Sequence, residues 1–168
     1  MTKALLVIDM QNEFFAGGKL PLWNTEKTLE NVRKAIKKAK DKNILPILIM
    51  HVMPSNKAPF FIKGSEGVKI HQQILSDIPD AKIIEKNFAD GFEATELENY
   101  LIKNGIQELI VCGMMTQNCV THTAISKKAE KYKIKVLSDC CTTTDKLIHN
   151  LGIDAISTRV QLITLNDI

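Results

Sequence analysis

What most limits how this chain can fold is a series of short apolar runs, each followed by a segment with helical spacing. The first is Lys3-Ala4-Leu5-Leu6-Val7-Ile8-Asp9. Consecutive apolar side chains leave a strand no solvent-facing side, so this segment reads as a strand covered on both faces. Ile44 to Val52, Ala81 to Lys86, Glu108 to Gly113, Lys135 to Cys140 and Val160 to Leu165 repeat the pattern, which makes six strands. Between them, Thr25 to Asn43 sets Leu29, Val32, Ile36 and Ala39 on one helical face, with Asn24 or Thr25 as N-cap. Thr95 to Asn104, Gln117 to Tyr132 and Asp145 to Ala155 are further helices, and one or two helical turns fall around Val68 to Leu75. Strands alternating with helices need right-handed crossovers. The expected fold class is therefore α/β, a three-layer α/β/α arrangement around a doubly wound, six-stranded, mostly parallel sheet.

A chain of 168 residues, 45% of them hydrophobic, can bury one good core and is too short for two ordinary domains. A single domain over 1–168 is expected, without repeat, linker or low-complexity tract. The net charge of +3 is spread over lysine-rich helical stretches, the look of solvated helix surface and not of a nucleic-acid footprint. No apolar run reaches the roughly 18 residues of a membrane span, so no membrane partner is expected. Met1-Thr2-Lys3 leads straight into a strand without a signal-peptide layout, and the four cysteines do not form a small disulfide framework. Free thiols in a reducing cytoplasm are the expectation.

In an open parallel sheet, ligands bind beyond the carboxyl ends of the strands. The residues standing there are Asp9, His51, Lys86, Gly113 to Cys119, and Asp139. A lone carboxylate or lysine at such a position is more often a cap or a solvated side chain. The combination is more specific. Thr116 is placed to cap the helix after the fourth strand, which puts Cys119 in its first turn, where the helix terminus and a neighbouring cation such as Lys86 would favour thiolate. A buried structural cysteine is the alternative, and it is the reading given to Cys112. Asp9 could accept the proton of a Cys119 nucleophile, and backbone N–H groups around Met115 and Cys119 could receive an oxyanion. The four histidines, His51 included, read as ordinary surface or core residues.

Four segments resemble the isochorismatase-like cysteine hydrolases, a family that includes nicotinamidases. They are Ile8 to Phe14, Lys63 to Gly67, Glu85 to Phe88 with Gly91 to Leu97, and Gly113 to Val120 followed by Thr123-Ala124, in family order and over nearly the whole chain. The resemblance implies a catalytic triad of Asp9, Lys86 and Cys119, a cis peptide between Met114 and Met115, and an oxyanion hole formed by the Met115 and Cys119 N–H groups. It also implies a homo-oligomer. The reaction it points to is hydrolysis of a non-peptide C–N bond, an amide, in a small molecule through a covalent thio-intermediate, with no cofactor.

Metal-binding relatives carry an Asp-x-His pair after the second strand and a further histidine ahead of the glycine loop. Here Ile49 stands two before His51, where the Asp would be, and the stretch ahead of Gly64 offers Phe60 and Phe61, so no catalytic metal is expected. Nicotinamidase or pyrazinamidase activity is one alternative; isochorismate hydrolysis, which needs no thiol, is another; a non-enzymatic binding protein is a third. Phe14, Phe60 and Phe61 are placed to line an apolar substrate pocket, although phenylalanine pairs are more often core packing.

Overall fold

The computed structural model describes residues 1–168. Its strands are β1 (Lys3–Ile8), β2 (Leu45–His51), β3 (Lys82–Lys86), β4 (Glu108–Met114), β5 (Lys133–Thr142) and β6 (Gln161–Ile163). They form one sheet in the order β3-β2-β1-β4-β5-β6, every neighbouring pair parallel. The helices are α1 (Thr25–Asp41), α2 (Gln72–Asp77), α3 (Leu97–Lys103), α4 (Thr121–Ala124) and α5 (Lys146–Ile156).

Alternation within β1 explains why its apolar run is continuous. Leu5 and Val7 face a cluster with Leu29, Val32 and Ile36 of α1 and Ile74 of α2. Ala4, Leu6 and Ile8 face a second cluster with Leu97 and Leu101 of α3, Ala124 of α4 and Ile156 of α5. Both faces of the strand are thus core, and the three-layer architecture is the one expected.

The local differences have physical causes. The long helix expected from Gln117 to Tyr132 is broken into a wide π turn over Thr116–Val120, the short α4, and a 3-10 turn over Lys127–Ala129. Ser126 stops α4 by turning its hydroxyl onto the Lys128 N–H, a local side-chain bond that competes with helix propagation. The helix expected around Val68 to Leu75 begins only at Gln72, capped by His71. Asp139 does not stand at the sheet edge. It lies inside β5, and its carboxylate accepts the Leu165 N–H.

One glycine sets how the site strands approach each other. Gly113 has φ +119°, and a Cβ built on it would meet the Ile8 carbonyl oxygen at 2.0 Å. Only a residue without a side chain lets β4 run this close to β1.

Candidate active site

Four strands deliver their end residues to one edge of the sheet. Asp9 follows β1, His51 ends β2, Lys86 ends β3, and the turn after β4 carries Cys119. β1 and β4 are neighbours at the point where the strand order reverses, the place where a doubly wound sheet opens a crevice for ligands.

Lys86 is the hub. It is only 1% exposed, yet its Nζ lies 2.9 Å from Asp9 Oδ2, 2.9 Å from His51 Nδ1, and 3.1 Å from both the Phe88 carbonyl oxygen and Cys119 Sγ. The ligating atoms of Asp9, His51 and Cys119 lie within 4.8 Å of one another. Asp9 is fully buried, and although Oδ2 makes an ion pair with the ammonium, neither carboxylate oxygen has a hydrogen-bond partner. A buried acceptor without a donor is costly and marks a place where a proton or a ligand belongs.

The electrostatics follow from this packing. Burial pulls the Lys86 pKa down, but Asp9 and Cys119 together more than offset it, so the group stays a cation with its pKa raised. Burial, then the Asp9 carboxylate, push the Cys119 thiol well above its ordinary range, against the opposing pull of Lys86. Lys86 does favour thiolate, as expected, but burial and the Asp9 carboxylate outweigh it, so the thiol stays protonated at rest. The expected helix is one wide turn and a four-residue helix, too short for a strong dipole. Thr116 does not cap it either: its hydroxyl is 2.9 Å from His149 Nδ1.

In the sequence His51 stands among the strand-end residues but reads as an ordinary histidine, and the structure brings it into the cluster. It pairs in register with Lys86 across β2 and β3, and its Nδ1 is also 4.0 Å from both Asp9 Oδ2 and Cys119 Sγ. Burial and the Lys86 charge lower its pKa, which keeps the imidazole neutral near pH 7. The available signal was its place as the last residue of a buried strand.

Two buried polar residues of the Gln11-Asn12-Glu13 segment hold the site's frame. Gln11 exchanges both bonds of its amide with the His51 backbone, donating at 2.8 Å and accepting at 2.8 Å, and donates again to the Val68 carbonyl at 2.7 Å. Glu13 accepts the N–H groups of Lys19 and Phe61, each at 3.0 Å. Through these bonds the start of the chain fixes the loop from Pro54 to Lys69.

Phe61 stacks on His51 with centroids 5.4 Å apart, so it borders the site through that ring. Phe14 and Phe60 each meet Phe61 edge-on, at 5.0 and 5.6 Å, and all three join the larger core cluster. A surface cleft of about 630 Å³ lies elsewhere, between Glu30, Arg33 and Asp77.

The donor set at Asp9, His51 and Cys119 would suit a divalent cation by chemistry alone. The Lys86 ammonium already contacts an atom of each, so a metal would have to displace a buried cation. The residues do not fit a resident metal. The Met114–Met115 peptide is cis, as the resemblance implied, and the Met115 N–H donates to no backbone carbonyl.

Residues 3–167 match the family model of the isochorismatase domain. The chain belongs to the isochorismatase family. Among its relatives is an uncharacterised isochorismatase family protein of Bacillus subtilis, YddQ, 36% identical over 144 residues, 86% of this chain and 79% of that protein. The nicotinamidase of Escherichia coli is 25% identical, over 83% of this chain and 82% of its own length. A crystal structure described as an isochorismatase hydrolase from Oleispira antarctica superposes with a TM-score of 0.88 at 26% identity, covering 99% of this chain and 95% of that one. This isochorismatase-family chain is a hydrolase, and no helix in it is long and apolar enough to cross a membrane.

Proposed function

We propose that the protein is a cysteine amidohydrolase in which Cys119 attacks the carbonyl carbon of a small amide. The observation that carries this is the Lys86 ammonium, within 3.1 Å of both Asp9 Oδ2 and Cys119 Sγ, with the Asp9 and Lys86 side chains shielded from solvent. A thiol held in its protonated form needs a base beside it, and Asp9 Oδ1 is a buried acceptor with no other partner. The S–H proton passes to Asp9 while Lys86 stabilises the thiolate, and as Sγ bonds to the substrate carbon the C=O π pair moves to the carbonyl oxygen. The oxyanion is received by the N–H groups of Met115 and Cys119. Asp9 then protonates the departing amine, leaving a thioester that water hydrolyses to the acid, with Asp9 as base.

The thiol argues against isochorismate hydrolysis, and Ile49 and Phe60, standing where metal-binding relatives carry ligands, argue against a metal-assisted nicotinamidase. Phe61, with Phe14 and Phe60 behind it, suits a substrate with an apolar portion. The four free, buried thiols suit a reducing compartment such as the cytoplasm. Assembly as a homo-oligomer rests on the family resemblance, and light scattering reads it directly.

The test is an ammonia-release screen of small amides and nitriles, nicotinamide included. A substrate turned over by the parent protein and lost by at least about a thousandfold in both Cys119→Ala and Asp9→Asn supports the reading, as expected when nucleophile and base act as one unit. Turnover that survives Cys119→Ala overturns it.

A further inference from the structure

A lysine ammonium has three N–H donors and no acceptor. Around Lys86 there are four acceptors, Asp9 Oδ2, His51 Nδ1, the Phe88 carbonyl and Cys119 Sγ, all within 3.1 Å. The ammonium is one donor short whenever the carboxylate and the sulfur are both charged.

We propose that His51 is a positioning residue that creates this shortage, so that the Asp9–Cys119 pair carries only one negative charge at a time. This rests on the hydrolytic reading of the site given above.

The geometry assigns the roles. Because lysine only donates, His51 Nδ1 must accept, and the ring proton sits on Nε2. The ring cannot swing away: Gln11 clamps its backbone from both sides and Phe61 stacks on its face. The Phe88 carbonyl is equally fixed, two residues along the chain from Lys86. These two acceptors hold two of the three N–H groups, and the third is directed at Cys119 Sγ, so Asp9 Oδ2 has a charge contact with the ammonium and no hydrogen bond from it. With a histidine that accepts from Lys86, thiolate formed without protonating Asp9 leaves two charges to share one N–H and the carboxylate short of a donor. Transfer of the S–H proton to Asp9 removes that shortage, so the nucleophile forms in step with its base.

The consequence runs against the usual effect of deleting a site residue. In His51→Leu, which fills the space without an acceptor, the freed N–H can serve the carboxylate while another stays on sulfur. Cys119 should then ionise at lower pH than in the parent. In His51→Asn the side-chain oxygen can take the place of Nδ1, and the parent behaviour should return.

The experiment is a pH titration of the Cys119 thiolate by ultraviolet absorbance, taken as the difference against Cys119→Ser, with iodoacetamide labelling and peptide mapping beside it. For His51→Leu the midpoint should move to lower pH and labelling at about pH 8 should be roughly tenfold faster, the size of one added charge-assisted hydrogen bond. His51→Asn should stay within about twofold of the parent. Should His51→Leu fail to fold, His51→Phe keeps the stack on Phe61 and still removes the acceptor. A midpoint unchanged or raised in the folded acceptor-free variant overturns the role of His51. Asp9→Asn separates the two levels: if it lowers the midpoint while loss of His51 does not, only the His51 inference fails. If neither variant moves it, sulfur is not coupled to the carboxylate and the hydrolytic reading fails too.

Discussion

Asp9 Oδ2 and Lys86 Nζ stand 2.9 Å apart with neither side chain reachable by solvent. Such a pair contributes little net stability when intact, but removing one partner leaves a bare charge in the core. Lys86→Met should therefore destabilise the fold by about 3–5 kcal/mol. The double variant Asp9→Asn with Lys86→Met should regain part of that. Urea unfolding of the three proteins measures it, and equal losses in the single and double variants would contradict an ion pair.

Acid should weaken the fold through its histidines. His51, His71 and His149 all have lowered pKa values, burial being the leading cause for each. Unfolded histidines take up protons near pH ~6.5, whereas these stay neutral to lower pH, so the unfolded state binds more protons in that interval. The stability is fully present above about pH 6.5 and declines as the pH falls below it. His71 offers the control, because its Nδ1 accepts the Gln73 N–H at the start of α2. His71→Asn keeps a capping acceptor that does not titrate, and should flatten the pH slope of the unfolding free energy between about pH 7 and 5.

Gly67 lies against Glu13 with no room to spare: a Cβ there would come within 2.3 Å of Glu13 Oε2. That carboxylate is pinned by the Phe61 and Lys19 N–H groups, so it cannot simply turn aside. Gly67→Ala should displace it and strand at least one buried donor, costing about 1–3 kcal/mol. A lowered melting temperature together with faster proteolysis between Pro54 and Lys69 is the expected result, and an unchanged loop would show that the contact is slack.

Chelation should leave turnover intact. The Lys86 ammonium touches an atom of each potential ligand in the cluster, so zinc added in excess should inhibit by competing for Asp9, His51 and Cys119. Activity that falls on dialysis against a chelator and returns with metal would refute this.

The sequence by itself determined the architecture and the chemical inventory. Runs such as Leu5-Leu6-Val7-Ile8 demand cover on both faces, and the helical spacing of Leu29, Val32 and Ile36 provides it on one of them. Strand ends of a parallel sheet meet at one edge, so Asp9, His51, Lys86 and Cys119 could be named from their positions, and the family resemblance singles out Asp9, Lys86 and Cys119 among them. The tertiary structure decided what those groups are. His51 stands at a strand end but reads in the sequence as an ordinary histidine; its contact with the site comes from register with Lys86, a partner 35 residues away. The Cys119 thiol is held protonated by burial and by a carboxylate from another strand, and a local reading of its turn pointed the other way. Periodicity is a property of neighbouring residues and is written along the chain, whereas burial, register and the competition of four acceptors for one ammonium exist only when distant segments meet.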